Sequence, residues 1–293
     1  MKSLFVLGLT LFGLSNVAQT KAVTTDNFLR INYVQNNQNT FLSQTSPAPQ
    51  TAVSPLIQAG KELLSLERYE LKSVMEISGD IPGASFVSQA QIKTKVEASN
   101  KFNSQITFVS PSGLEGKTYQ IVCDGNQVWI YNVATNQYSV SDFKQFIQTR
   151  EGFLLGTLSY FYLNTRSNIG SSNIMANFLA KLPEDRLLQY FQRFSNLDLQ
   201  NSVVKDGTVE GKAYKAYNID ASSQGFQATA YINPDKGNLA RVDLSGTKDG
   251  WQLASFEQIV NQTTPESFPE GTFVFSPPDN AVQVEQQIEI APF

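Results

Sequence analysis

Residues 118–132 read TYQIVCDGNQVWIYN, and this stretch decides the fold. Apolar and polar side chains alternate on both sides of Asp124-Gly125, which is the period of a β-strand with one buried face. An Asp-Gly pair between two such runs is a strong signal for a tight hairpin turn. The stretch therefore predicts two antiparallel strands, at residues 118–123 and 127–133.

The same alternation continues outward from this hairpin in both directions. It recurs at 69–81, 85–99, 102–109, 138–141, 202–204, 208–219, 226–232, 239–244, 251–260, 272–275 and 282–290. Short turns rich in Gly, Pro and Asp separate the runs, among them Asp206-Gly207 and Asp249-Gly250. We predict about eleven antiparallel strands in one sheet, not the alternating strands and helices of a nucleotide-binding fold.

Two parts of the chain have the helical period instead. Ser54-Pro55 suits a helix start, with Ser54 as the N-cap and Pro55 in the first turn, and the apolar face continues to about Arg68. Residues 142–196 also predict helices, the last of which begins at Pro183-Glu184-Asp185. Ten of the 33 aromatic residues fall between Phe143 and Phe194, where even spacing would place about six.

The N-terminus has the features of a secretory signal. Lys2 precedes an uncharged apolar run at 4–14, and Ala22 with Thr20 offers a small-x-small cleavage site. We therefore predict a secreted chain. The expected segments are a signal peptide at 1–22, a polar linker or mobile arm at 23–53, and a single domain at 54–293 with the helical insert at 142–196.

The composition excludes several kinds of chemistry. The chain has 293 residues and a formal net charge of -4, with no basic block, which argues against nucleic-acid binding. It has no His and one Cys, so a Ser-His-Asp triad, a His-ligated metal and an intramolecular disulfide are excluded. No phosphate-binding loop is present, and three S-x-x-K matches lack their companion motifs. We expect no enzyme activity, no catalytic residues, no metal and no cofactor.

The predicted sheet encloses space that must be filled. A single antiparallel sheet of about eleven strands curls around a hollow. The aromatic insert at 142–196 either fills this hollow as ordinary core, or covers it as a lid or plug and leaves room for an apolar ligand. The residues alone leave both alternatives open.

Three short motifs carry a family resemblance. Asp124-Gly125 is followed by Trp129, Tyr131 and then Gln137-Tyr138, like a DG-x-x-x-W-x-Y hairpin with its next strand. Residues 230–237 (AYINPDKG) and 273–278 (FVFSPP) resemble a later hairpin and a terminal F-x-F-x-P-P motif. In these motifs and their order, the region 54–285 resembles the LolA-like family of periplasmic lipoprotein carriers and lipid-binding proteins.

The resemblance implies an incomplete barrel with an N-terminal helix and a helical lid or plug, binding the acyl chains of lipids or lipoproteins. Membrane-anchored donor and acceptor proteins are candidate partners, and neither nucleic acid nor a stable membrane span is expected. Strand alternation puts Trp129 and Tyr131 on one sheet face and Val128 and Ile130 on the other, and leaves open which face is inside. The expected cavity residues are Trp129, Tyr131, Phe143, Phe146, Phe153, Leu154, Leu158, Phe161, Phe178, Leu188 and Phe191.

The chain also departs from that family, and two other functions stay open. The carriers have an arginine in an early strand that ties the lid down, whereas here only Lys93 or Lys95 could replace it, without the fork geometry of arginine. Glycines at 152, 156 and 170 suit an insert that opens. The same fold could serve as an envelope-stress sensor that binds a membrane-anchored regulator, and two carboxylates meeting in space would allow a glycoside hydrolase.

Overall fold

The computed structural model describes residues 53–81, 84–98, 100–109, 115–169, 178, 181–195, 198–221, 226–248 and 251–291. The predicted signal peptide at 1–22 and the arm at 23–53, apart from its last residue, lie outside these ranges, as does Asp249-Gly250. The helices are α1 (Ser54–Ser65), α2 (Phe143–Ile147), α3 (Arg150–Phe153), α4 (Thr157–Ile169) and α5 (Glu184–Ser195). The strands are β1 (Arg68–Ile81), β2 (Ala84–Glu97), β3 (Lys101–Val109), β4 (Glu115–Asp124), β5 (Gln127–Asn132), β6 (Gln137–Asp142), β7 (Asp198–Val209), β8 (Lys212–Ala221), β9 (Phe226–Ile232), β10 (Leu239–Lys248), β11 (Trp251–Thr263) and β12 (Val282–Gln283).

All twelve strands join one open sheet, in the order β12-β6-β5-β4-β3-β2-β1-β11-β10-β9-β8-β7. Neighbours pair antiparallel except β12, which runs parallel to β6. The chain builds the sheet in two passes: β1–β6 form a meander outward from the centre, and β7–β11 return from the opposite edge until β11 pairs with β1. The prediction of a mainly β protein with one large antiparallel sheet is confirmed, with twelve strands in place of eleven.

This strand order explains why the insert is helical and apolar. The chain leaves the sheet at β6, beside one edge, and rejoins it at β7, the other edge, so the insert must cross one whole face. We call this the inner face. Helices α2, α3 and α4 cover its β1–β5 side, and α1 and α5 cover its β7–β9 side. Because both surfaces are apolar, their contact removes large side chains from water, including Tyr69, Phe102, Phe146, Phe153, Tyr162 and Leu64.

Two sequence predictions fail in local detail. Asp206-Gly207 lies inside β7, and the chain turns instead at Glu210-Gly211, where φ is 49° and 76°. Gly207 serves a different purpose, because the Tyr231 ring lies against it and a Cβ there would be 3.2 Å from ring atom Cε1. Ser54 is the first helical residue and not the N-cap; its Oγ donates to Glu184 of α5 at 2.9 Å. The serine therefore joins two helices where the sequence predicted a local cap.

Residues 264–291, which we call the strap, replace the two strands predicted at 272–275 and 282–290. Only Val282–Gln283 pairs as a strand. The strap starts on the outer face, where Asn103 of β3 donates to the Thr272 carbonyl at 2.7 Å. It then passes around the β6 edge, and Ile290 ends in the main core on the inner face. The strap thus closes the β4–β6 end of the sheet.

An aromatic cluster holds the strap to the outer face. Phe275 stacks on Trp129 with ring centroids 6.1 Å apart, and it also contacts Tyr131 at 6.2 Å and Tyr138 at 5.3 Å. Trp129 and Tyr131 face away from the helices, since Val128 and Ile130 are the residues of β5 buried in the main core. Two motifs of the family resemblance, the hairpin and F-x-F-x-P-P, therefore pack against each other.

We expect Phe275→Ala to lower the free energy of unfolding by about 2 kcal/mol, because a half-buried ring and its aromatic contacts are lost. Chemical denaturation followed by far-UV circular dichroism measures this change. The control is Val274→Ala at the adjacent residue, whose side chain is 64% exposed and should change stability by less than about 0.5 kcal/mol. Equal effects of the two variants would show that the aromatic cluster does not hold the strap.

Candidate functional site

A cavity of about 620 Å³ opens at one end of the sheet, where β1 and β10 end and β2, β9 and β11 begin. Its volume falls within the range of about 300–1,000 Å³ that is usual for small-molecule sites. It is lined by Ser78, Gly79, Ser85, Phe86, Val87, Phe226, Gln227, Ser245, Gly246, Thr247, Gln252, Leu253 and Ala254. The lining is uncharged and mixed, with serine, threonine and glutamine side chains beside phenylalanine and leucine, so the cavity suits a neutral group.

One cross-strand row forms the helix-side wall of this cavity. Phe86, Gly79, Leu253, Gly246 and Phe226 are register partners on β2, β1, β11, β10 and β9. The Phe86 ring covers Gly79, because a Cβ at Gly79 would lie 2.5 Å from ring atom Cε1 and 2.8 Å from Leu253 Cδ2. Strands are about 4.8 Å apart, so the row spans about 19 Å. That length matches an extended long acyl chain.

Glu257 fastens the helical insert to the inner face beside this cavity. It lies on β11, two inward-facing positions beyond Leu253, and only 1% of its surface is exposed. The amide N–H of Leu158, in the first turn of α4, donates to Oε2 at 3.0 Å. Ser73 Oγ of β1 donates to Oε1 at 2.7 Å. One carboxylate therefore holds β1, β11 and α4 together.

Gly156 permits this contact. The chain enters α4 at Gly156 with φ of 99°, a conformation that side chains with a Cβ rarely adopt. A Cβ at this position would also overlap Oε1 of Glu257. The glycine is thus required twice, by the backbone turn and by the close approach of the carboxylate.

The electrostatics of this contact oppose ionisation of the carboxyl group. Burial raises the pKa of Glu257, while the hydrogen bonds from Ser73 and from the backbone of Leu158 and Thr157 act in the opposite direction and only partly offset it. These donors are a hydroxyl and backbone amides, so they solvate a negative charge without neutralising it. Ionised Glu257 is therefore less stable here than it would be in water.

Arg166 fastens the other end of α4. Its guanidinium is almost fully buried, with 2% of the residue exposed, and Nη2 donates to the carbonyls of Leu64 and Leu66 at 3.0 Å each. These carbonyls belong to the end of α1, where the last turn leaves acceptors unpaired. Tyr162 stacks under the guanidinium at 4.8 Å and donates to the Leu66 carbonyl at 2.6 Å. The C-terminal part of α4 is therefore bound to α1.

The structure divides the predicted cavity residues into separate groups. Buried together against the inner face are Phe143, Phe146, Phe153, Leu154 and Leu158, with Phe161 partly buried beside them. Leu188 belongs to the second core under α1 and α5, and Phe178 is 50% exposed. The Phe191 side chain lies outside the described residues. Trp129 and Tyr131 are on the outer face under the strap, so they are not brought together with the helical residues.

Neither lysine considered as a lid contact reaches the helices. Lys93 is exposed and Lys95 is half-buried on the outer face, whereas Thr94 between them is buried on the inner face. The helices are fastened instead by Glu257 and Arg166, which the sequence analysis missed. The available signal was Glu257 itself, a charged residue at a position where the alternation of β11 predicts a buried side chain.

Other chemistry receives no support from the described part of the chain. Cys123 is buried, and burial raises the pKa of its thiol to about 12, so the thiolate does not form near neutral pH. Among the residues that the structure describes, no three potential metal-binding side chains come together. Within those same ranges, no helix combines the length and apolar character needed to cross a bilayer.

We expect Gly156→Ala to destabilise the protein by about 3 kcal/mol, from the unfavourable φ angle and from overlap with Glu257. The measurement is equilibrium unfolding in urea. Gly60→Ala in α1 is the matched control, because a Cβ there meets nothing within 4 Å. It should stabilise the protein by up to about 1 kcal/mol through helix propensity. Comparable stability of both variants would contradict the proposed role of Gly156.

Arg166→Leu should cost about 3 kcal/mol of stability, because the buried Leu64 carbonyl loses the guanidinium donor and the Leu66 carbonyl keeps only the Tyr162 hydroxyl. Arg186→Leu, at an exposed position of α5, should stay within about 0.5 kcal/mol of the unmodified chain. Thermal unfolding by calorimetry compares the two. If Arg166→Leu unfolds like the control, α4 does not depend on its bonds to α1.

The chain was compared with protein-family models, curated proteins and solved structures. A scan of protein-family models and a search of curated proteins each found no match. Similar structures include an uncharacterized conserved protein from Thermus thermophilus, at 13% identity and a TM-score of 0.39, over 81% of this chain and 100% of that chain. A LolA superfamily protein from Nitrosomonas europaea matches at 13% identity and a TM-score of 0.30, over 77% and 98%.

The complex of MucA and MucB from Pseudomonas aeruginosa also matches, at 12% identity and a TM-score of 0.33. That match covers 77% of this chain and 61% of the other. One of these solved structures bears the name of the family that the sequence motifs resemble.

Proposed function

We propose that this chain is a non-enzymatic periplasmic carrier that binds an acyl chain of a lipid or lipoprotein in the cavity between Phe86 and Phe226. The observation that supports it is the cavity itself: about 620 Å³, uncharged, and bounded by two aromatic rings. Its helix-side row of five residues is long enough for an extended chain. No nucleophile or metal is needed for this role.

The physical task of such a carrier is to hide hydrocarbon from water. A chain of about sixteen methylenes, at about 0.8 kcal/mol each, costs roughly 13 kcal/mol to expose. Gly246 adds no side chain to the row between Leu253 and Phe226, so an acyl chain can approach the sheet backbone there, whereas the Phe86 ring already covers Gly79. A cavity of this kind shields the chain without forming a covalent bond.

The position of the cavity also supports the proposal. Most aromatic residues of the insert are already packed as core, so the insert fills the β1–β5 side of the inner face. The cavity lies beyond this filled region, at the end of the sheet opposite the strap. A ligand there would contact residues of five strands, because every lining residue belongs to the sheet.

Native mass spectrometry with organic extraction tests the proposal on protein expressed with its own N-terminal segment and purified without detergent. We expect a discrete mass adduct that extraction identifies as a lipid or an acylated peptide. A clean apo mass that does not change after incubation with a lipopeptide would overturn the proposal. A protein partner without lipid would favour the sensor function instead.

We expect Gly246→Leu to reduce the bound fraction of that lipid by about tenfold or more, because its side chain fills the gap in the row between Leu253 and Phe226 at a cost above about 1.4 kcal/mol. Gly246 has no positive φ angle, so leucine fits the strand backbone. Gly60→Leu on α1 adds the same side chain where nothing lies within 4 Å. Equal lipid retention by both variants would place the ligand elsewhere.

A further inference from the structure

The first turn of α4 lies on the same face of the sheet as the helix-side row of the cavity. Glu257 binds this turn and lies two inward-facing positions from Leu253, about 13 Å along β11. From there α4 runs away from the cavity, toward the Arg166 contact with the end of α1. The main core continues from the Glu257 contact through Ile77 to Leu253 at the cavity.

The strip of the inner face between the cavity and Glu257 contains buried polar groups in unfavourable surroundings. Ser88 and Ser255 lie in this strip, one row from Leu253, and their buried hydroxyls have no hydrogen-bond partner among the described residues. Glu257 at the far side of the strip is a buried carboxylate whose partners are neutral donors. Each of these groups is more stable in contact with water than in this closed arrangement.

We propose that Glu257 is a pH-sensitive latch that sets how readily the first turn of α4 leaves the inner face and lengthens the acyl cavity over the Ser88–Ser255 strip. Gly156 is the hinge, since it is the residue that turns the chain into α4. Arg166 keeps the other end of the helix in place. This inference rests on the proposed carrier function, because it assigns the regulation of the same cavity.

The direction of the pH dependence follows from linkage. In the closed state burial raises the pKa of Glu257, whereas in an open, hydrated state it returns toward its ordinary value of 4.5. A raised pKa in the closed state means that protonation favours closure. As pH rises through the interval between the two values, the closed state loses stability, and opening increases about tenfold per pH unit.

Other charged and titratable groups face the same part of the core. Tyr69 of β1 interacts electrostatically with Glu257, and Tyr162 and Arg166 of α4 lie beyond it. Burial raises the pKa of Tyr162 to about 12 and that of Tyr69 further, so neither tyrosine ionises between about pH 5 and 8. On β10, Arg241 and Asp243 pair with each other on the outer face. Among these groups, Glu257 is the carboxyl whose pKa burial raises, so its charge changes as pH rises above the ordinary value of 4.5.

Amide hydrogen exchange tests the latch without any ligand. Exchange rates are corrected for their intrinsic pH dependence and compared at about pH 5.5 and about pH 8. We expect amides in the first turn of α4 to lose protection by about tenfold or more at the higher pH, while amides of β3 keep theirs. In Glu257→Gln this difference should disappear, and Glu270→Gln, at an exposed strap position, should behave like the unmodified chain.

A second measurement tests ligand uptake. The probe is a pyrene-labelled monoacylglycerol, which carries no charge at any of these pH values. Its affinity should rise with pH in the unmodified chain and be independent of pH in Glu257→Gln. If Glu257→Gln does not fold, amide hydrogen exchange of the unmodified chain alone tests the latch. Equal protection of the α4 amides at both pH values would then overturn the latch. Probe binding that does not depend on pH overturns the latch but not the carrier, and no binding at any pH overturns the carrier.

Discussion

The hydrogen bonds to Glu257 are the contact on which the rest of the structure depends. The sheet is built from two passes of the chain that meet only where β1 pairs with β11, and the insert must cross the face between their far edges. Ser73 comes from the first pass, Glu257 from the second and Leu158 from the insert. One carboxylate therefore joins the three parts of the chain, and its burial is stabilised by hydrogen bonds and not by a counter-charge.

The aromatic residues fall into three groups with different roles. Trp129, Tyr131 and Tyr138 hold the strap on the outer face, and most aromatic residues of the insert fill the β1–β5 side of the inner face. Phe86 and Phe226 bound the cavity. Aromatic residues bury much apolar surface wherever they pack, so their abundance alone does not distinguish a core from a binding site. What distinguishes the cavity is Gly246, which adds no side chain to the row between Leu253 and Phe226.

The sequence was sufficient to predict most of the sheet, and it was insufficient for the site, for a physical reason. Strand alternation and hairpin turns are local, so β1–β6 and β8–β11 follow from the residues themselves. The row that contains Gly79 and Gly246 depends on register across five strands, which includes the non-local pairing of β1 with β11. The sequence could not show which side of β5 faces the helices. The reason is that the strap also covers the outer face, where Trp129 lies. Arg166 and Gly207 likewise act through residues far away in sequence.

The proposed carrier must release what it binds, and under this proposal the buried charge of Glu257 is useful. Full burial of a long acyl chain is worth roughly 13 kcal/mol, which by itself corresponds to binding too tight for transfer on a useful timescale. Any free energy spent on moving α4 is subtracted from that gain, so the latch lowers the net affinity. A fully apolar contact at position 257 would hold α4 more firmly and leave less of the inner face accessible. In the proposed latch, the carboxylate with its neutral hydrogen-bond donors stabilises the closed state enough for α4 to pack on the sheet. The same contact is weak enough for the first turn of α4 to leave the sheet again.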